Sequence, residues 1–420
     1  MADPIFALAR VRRTHLADLL PDEPIMQLVR AMGVVWRERL LTPLVTLRLF
    51  ALQILHGNTS IAHLRQLSGL DFAAASYCEA RGRLPIRLLF KLLKWTSQQA
   101  AALQTLPCLS QRILVVDSSN FSMPDTPALR QRFGLPRAWR VKVDVAYPAA
   151  KIMAMMDRAT GCLTRLIPGP FYRHDARGVI RLHRHLRAGD ILLGDRAFCS
   201  FVHLAFLSRR GVGACFRLHQ ARLSTTASIQ RWTKPIKQPD WMTAGQFNTL
   251  PPWIDVRIVR YRTGRRGFRT RQVAIATTLL DSKTWPEESI AQLYGHRWNI
   301  ETCFGHLKTT MKMNVLKCQS TAGIYRELLM YLVVYNLIRL AMLAGAVAQK
   351  VSVDRISFID AMRHAAVRLL GLMGVPRLLI NPHRPGRYQP RVIRRRRDRY
   401  DLMTKSRAEL KTPQSCNEVH

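Results

Sequence analysis

Acidic residues are scarce in this chain: 27 Asp and Glu stand against 65 Lys and Arg, leaving a formal net charge of +38 over 420 residues. A deficit this large makes an acidic partner the first expectation, with nucleic acid ahead of anionic membrane, because no basic amphipathic helix stands out from the rest. Cysteines are few and scattered (Cys78, Cys108, Cys162, Cys199, Cys215, Cys303, Cys318, Cys416), and no pair has C-x-x-C spacing. That pattern argues against a zinc module and against a disulfide framework. Long apolar runs are missing too. The opening MADPIFALARVRR has no stretch long enough for a signal peptide. The longest run, Leu328 to Ile338, lies between Glu327 and Arg339, contains Asn336, and reads as a buried helix. The expectation is a soluble protein of a reducing compartment, cytoplasmic and nucleoid-associated, with no membrane partner.

What is present is a hydrophobic content of 48%, enough for a sizeable core and two or three domains. Residues 1–105 read as all-helical. Thr42 and Pro43 open the run PLVTLRLFALQIL, HGNT breaks it, and Thr59 or Ser60 caps IAHLRQL, which stops at Ser68-Gly69. A third helix spans Phe72 to Gly82. The pair fits a helix-turn-helix with FAAASYCEARGR as the reading helix, or an ordinary pair of small-residue helices.

From 106 to 209 the period changes to that of strands. ILVV (113–116) is an apolar run ending at Asp117; VKVDVAY, KIMAMM and CLTRLI form a meander; HDARGVIRLHRHL is helical; DILLGD ends a further strand at Asp195. Residues 210–282 read as a β-rich insertion whose hairpin, IDVRIVRY and FRTRQVAIATTLL about RTGRRG, presents cations to a phosphate backbone. Helical character returns over 283–348, and 349–420 holds a helix and a basic tail. Within that tail, residues 381–410 carry ten Lys and Arg against three Asp and Glu.

Between Tyr294 and Lys308 stands Y-G-H-R-W-N-I-E-T-C-F-G-H-L-K. On a continuous α-helix Arg297, Glu301 and Lys308 fall about 300°, 340° and 320° round from Tyr294, a single stripe about 60° wide. One carboxylate among cations suits a site that holds a metal and grips phosphate; a solvated face with an Arg297–Glu301 pair is the plainer alternative. Asp117 and Asp195, at the ends of apolar strands, are the acids able to join Glu301 around divalent ions. Taken singly, Asp117 serves equally well to cap the turn SSN, and Asp195 to pair with Arg196. Asp190, after Gly189, suits a strand entrance; Asp125, Asp144 and Asp157 read as structural. Trp298 either stacks on an unpaired base or packs in the core.

Together these motifs resemble the bacterial insertion-sequence transposases of the DDE class with a Y-x2-R-x3-E-x6-K signature. Tyr294, Arg297, Glu301 and Lys308 match it at every spacing, VVDSSNFSMPDT resembles the segment of the first catalytic Asp, and LLGDRAF that of the second, with Ala197 where Gly is usual. The resemblance runs from roughly residue 40 to 400 and implies an α/β fold: an RNase H-like mixed-sheet catalytic core with a β-rich insertion, preceded by the all-helical N-terminal domain, which binds DNA. It also implies cleavage of transposon ends and their joining to target DNA. Asp117, Asp195 and Glu301 would be catalytic and ligate Mg2+, with Mn2+ as substitute. Tyr294, Arg297, Trp298 and Lys308 would contact DNA, and a homodimer would bring two ends of double-stranded DNA together. A nuclease of the same fold without strand transfer, and a catalytically inactive, domesticated DNA-binding protein, are the alternatives.

Overall fold

The computed structural model describes residues 20–103, 111–138, 143–144, 147–173, 175–218, 228–263, 271–369 and 377–382. Residues 264–270 of the hairpin turn and the Arg-rich tail lie outside the described residues. Eight strands form one sheet: β1 (Ile113–Ser122), β2 (Ala149–Asp157), β3 (Leu163–Pro170), β4 (Ile191–Gly194), β5 (Gly213–Arg217), β6 (Ile229–Thr233), β7 (Trp253–Thr263) and β8 (Arg271–Thr277). Their spatial order is β3-β2-β1-β4-β5-β8-β7-β6. Pairing is antiparallel throughout except β1–β4 and β4–β5. An antiparallel meander of three strands continued by two parallel ones, in the order 3-2-1-4-5, is the RNase H-like arrangement.

Two expectations change here. The meander starts at β1 rather than at VKVDVAY, whose one described strand segment, Val143–Asp144, lies in a two-residue ladder with Arg137–Ala138. β1 also continues for five residues past Asp117, pairing as far as Ser122↔Ala149. The polar SSN is therefore strand, and its alternation (Val115, Asp117, Ser119, Phe121 on one face) persists through residues that look like turn formers. The insertion is joined to the core: β8 pairs with β5 through Thr277↔Cys215, so β6, β7 and β8 extend the same sheet.

The helices that precede the sheet are α1 (Asp22–Arg30), α2 (Pro43–Leu55), α3 (Ile61–Ser68), α4 (Ala74–Arg83) and α5 (Ile86–Ala102). Thr42 accepts the Val45 N–H and Ser60 the His63 N–H, the hydroxyl N-caps the sequence offers, and Gly69 ends α3 at φ 61°. α4 turns Ala74, Ala75, Ser76 and Glu79 outward, but Arg81 points in, over the Phe50 ring at 3.9 Å. Later come α6 (Pro127–Phe133), α7 (Asp175–His183), α8 (Phe201–Arg209), α9 (Ala244–Asn248), α10 (Glu287–Gly295), α11 (Trp298–Gly305), α12 (Thr321–Ala348) and α13 (Phe358–Leu369).

The sheet separates two cores. On one face Leu114, Val116, Met153 and Met155 pack with α7 and α8. On the other, Val115, Phe121, Ala154 and Leu193 share one cluster with α1–α5 and α10–α13. The N-terminal helices thus bury their apolar faces in the core of the sheet. α12 is long and apolar enough to cross a membrane, yet 89% of its most apolar window is buried inside the protein. Its polar residues are matched there. Asn336 accepts the Leu163 N–H at 2.9 Å and donates to the Leu163 carbonyl at 2.9 Å; Glu327, fully buried, accepts from Cys318 N at 2.9 Å and Asn58 Nδ2 at 2.6 Å. Glu327 and Asn336 thus meet partners, which is what permits a helix this apolar to carry them, while the buried Tyr331 hydroxyl has none among the described residues.

Candidate active site

Val115 pairs with Leu193 in the parallel ladder, and both side chains lie in the α10–α13 core. Two residues further stand Asp117, still in β1, and Asp195, in extended backbone just past the end of β4, so the period-two alternation turns both carboxylates to that same face. Adjacent strands lie about 4.8 Å apart, which makes the two acids near neighbours. Gly194 shapes the exit: a Cβ there would come within 2.9 Å of the Phe198 ring. The chain then leaves the sheet into a short 3-10 turn, Arg196–Phe198, which Asp195 precedes without capping it through its side chain. Ala197 is absent from the residues with positive φ, so a side chain is accommodated where glycine is usual.

The third acid arrives on α11. The stripe is not one continuous α-helix: α10 ends at Gly295, Arg297 sits at the junction with helical φ and ψ, and Lys308 lies on a π-helical turn, His306–Thr310. Such a turn, closed by Met311 N–H to the His306 carbonyl at 2.8 Å, shifts the register by one residue. The chain after it returns to β1, where Leu316 N–H meets the Ser122 carbonyl at 2.9 Å. Lys308 is thereby set over the Phe121 ring, Nζ 5.0 Å from its centroid.

Arg297 draws the acids together. Its Nη2 donates to Glu301 Oε1 at 2.7 Å, and its Nη1 lies 3.9 Å from Asp117 Oδ2, with the guanidinium side chain only 7% exposed. Asp117 Oδ1 accepts the Ser118 N–H at 2.7 Å. Burial pushes the Asp117 carboxyl up to about 6, the Ser118 N–H and Arg297 pull it down, and the charges of Asp195 and Glu301 raise it again. All three acids therefore share one electrostatic site. Burial likewise raises the Tyr294 phenol and lowers the Lys308 ammonium. Among the described residues Tyr294 Oη and Arg297 Nε are buried with no hydrogen-bond partner.

Asp190 is elsewhere engaged. Arg112 grips it with Nε to Oδ1 at 2.9 Å and Nη2 to Oδ2 at 2.6 Å, and the Arg187 N–H adds a bond at 2.7 Å. Asp125 pairs with Arg130, and Asp157 Oδ1 accepts the Thr160 N–H at 3.1 Å. Asp195 makes no ion pair with Arg196. Trp298, expected either at a base or in the core, is 49% exposed with the Arg297 guanidinium 5.1 Å from its ring centre, so it is no core residue. Phe121 was hidden in the sequence by the turn-like SSN; its strand alternation with Asp117 was the signal.

Three carboxylates against one buried guanidinium leave an excess of negative charge made of hard oxygen donors, the chemistry a divalent ion such as Mg2+ prefers. Among the described residues no three His, Cys, Asp or Glu side chains are grouped closely enough to hold one ion. Arg297, between Asp117 and Glu301, provides the positive charge instead. The donor set fits a divalent cation in kind, with Arg297 as the residue that must yield room.

An RNase H-like sheet with two strand acids facing a helix-borne Glu defines a domain of the DDE class. Residues 109–337, more than half of the chain, match the family described as the transposase DDE domain, and the chain belongs to it. The transposase InsG of insertion sequence element IS4 from Escherichia coli (strain K12) is 23% identical over 314 residues, 70% of each protein. The piggyBac transposase synaptic complex with hairpin DNA aligns over 86% of this chain and 80% of that one, at 12% identity and a TM-score of 0.44.

Proposed function

We propose that this chain binds the inverted-repeat ends of an insertion sequence, cleaves them in a Mg2+-dependent reaction and joins them to target DNA. The observation that carries the reading is the convergence of Asp117, Asp195 and Glu301 about Arg297 on one face of the sheet. These three acids would hold the ions, Mn2+ substituting for Mg2+, and bound ions would activate an attacking oxygen and stabilise the leaving one. Arg297 and Lys308 neutralise the phosphate at the cut. Arg297 turns from Asp117 toward that phosphate, and the free Tyr294 hydroxyl donates to the same strand. Trp298, exposed beside the site, offers a face on which an extruded base stacks. Residues 1–105 add DNA contacts, and two copies of the chain hold two ends together, in the nucleoid-bearing cytoplasm.

The test is nicking and linearisation of a supercoiled plasmid carrying the element's ends, with Mg2+ and with EDTA, followed by joining of a pre-cut end to a second plasmid. Cleavage and joining that both require Mg2+ support the reading. Binding without cleavage in Mg2+ or Mn2+ leaves a DNA-binding protein; cleavage without joining leaves a nuclease.

A further inference from the structure

At the β3 edge of the sheet, a groove of about 1030 Å3 opens between α5, β3, α7 and the end of α8, with Gln246 of the insertion on its rim. Lys91 and Lys94 line it from α5, Arg165 from β3, Arg181 and Arg184 from α7 and the residue that follows it, and Arg210 from the end of α8. Among the described residues no Asp or Glu lines it. None of these six cations forms an ion pair among the described residues. All but the half-buried Arg165 are exposed. No acid among the described residues lines the groove, so these like charges meet there without a described carboxylate to offset them. Their mutual repulsion is felt inside the groove: after burial, Arg112 and Arg184 lower the Arg165 guanidinium, and burial followed by Arg165 and Arg184 pushes the His185 ring down to about 4.

Cations gathered at this density raise the energy of the free protein and are offset by a polyanion that binds across them. The chain's own ends are poor occupants. Residues 383–420 are rich in Lys and Arg and so have the wrong charge to complement the groove. The position relative to the catalytic face also matters. Leu166 of β3 pairs with Ala154, which pairs with Asp117, so the groove begins two strands from Asp117, about 10 Å at the usual strand spacing. The groove wraps the sheet edge, since α5 packs on the face that carries Asp117 while α7 and α8 pack on the opposite face, and it does not overlap the catalytic acids. Cations on long side chains along a shallow trough follow a phosphate backbone and carry little information about bases.

We propose that this edge groove is a second, sequence-independent surface for duplex DNA, which holds the backbone of a helix along the β3 edge of the sheet, apart from the cleavage site. The proposal rests on the transposase reading for its partner, and its test separates the two. The probe is a 30-bp duplex of random sequence, whose affinity is measured against salt concentration for wild type and two double variants. One is Arg181→Glu/Arg184→Glu; the other, Lys283→Glu/Lys350→Glu, makes the same change in net charge at exposed sites outside the groove. The groove variant is expected to lose about tenfold or more in affinity, and its log–log salt slope to fall by about 2, as for two lost phosphate contacts. The control is expected to stay within about threefold of wild type, with melting temperatures alike in all three proteins. Equal losses in both variants, or wild-type binding in the groove variant, overturn the proposal, since a diffuse charge effect or another surface then explains binding. Retained DNA binding with lost binding to anionic phospholipid vesicles overturns it in favour of a membrane surface. Failure of the wild type to bind duplex DNA at all overturns both this proposal and the transposase reading, whereas wild-type binding with an indifferent groove variant leaves that reading intact.

Discussion

Arg297 donates to Glu301 at 2.7 Å while its other terminal nitrogen faces Asp117 at 3.9 Å, so one guanidinium spans a helix acid and a strand acid. A planar fork can serve both at once; an ammonium is a single point charge. Arg297→Ala is expected to reduce single-turnover cleavage by about 10²-fold or more, as removal of a charge-stabilising donor commonly does. Arg297→Lys is expected to recover only part of that loss. End binding and cleavage measured together, with thermal melts to check folding, decide the matter, and wild-type rates in both variants would reduce the pair to a helix-surface ion pair.

The raised Asp117 carboxyl has a consequence for stability in metal-free protein. Its folded pKa, about 6, lies above the ordinary carboxylate value, so the folded state holds the proton more tightly than the unfolded state. The stabilising contribution is present at low pH and is lost as pH rises through about 6. In EDTA at pH 8, Asp117→Asn is therefore expected to be more stable than wild type by on the order of 2 kcal/mol, a gap that closes as pH falls toward 4. Denaturant titrations at pH 4.5 and 8 measure it. A variant less stable than wild type at pH 8 would mean that Arg297 outweighs burial.

Asp190 and Asp195, five residues apart, are expected to separate cleanly. Asp190 is 4% exposed and held by Arg112 and a backbone N–H, so Asp190→Ala leaves a cation and a donor unmatched. Its cost is on the order of 2–3 kcal/mol, reduced from the fully buried case because Arg112 is one-third exposed. Asp195→Ala is expected to keep its melting temperature and lose cleavage entirely. Cleavage surviving in Asp195→Ala would remove Asp195 from the site.

Most of this site was legible because its signals are local. Apolar runs marked β1, β2, β3 and β4, and the spacing of Tyr294, Arg297 and Glu301 keeps those three together across a helix break, while the π-helical turn sets Lys308 over Phe121. What stayed hidden depends on pairing between distant segments. Ser118, Ser119 and Asn120 look like turn formers, and only the ladder with β2 makes them strand. The joining of the insertion to the main sheet rests on β8 meeting β5, a contact between segments some sixty residues apart. The edge groove likewise draws cations from four elements, none of which looks unusual alone in a chain this basic.

Lys308 provides the last test, because the π-helical turn places it over Phe121 rather than in free solvent. Burial lowers its pKa, and among the described residues no carboxylate pairs with it, so the ring face is its only charge-stabilising contact. A cation–π contact of this kind is worth about 0.5–1 kcal/mol, enough to orient the ammonium but not to replace a phosphate. Phe121→Leu, which keeps an apolar side chain in the core and removes the ring face, is expected to weaken cleavage by about two- to fivefold through misplacement of Lys308. Lys308→Ala, which removes the charge itself, is expected to cost about 10²-fold and to lower affinity for the transposon end as well. Lys308→Arg should fall between them, since the larger head keeps the charge but does not fit the same seat. Single-turnover cleavage and end binding for the three variants give the order, and a Phe121→Leu defect larger than that of Lys308→Ala would show that the ring matters for packing and that the cation does not meet DNA.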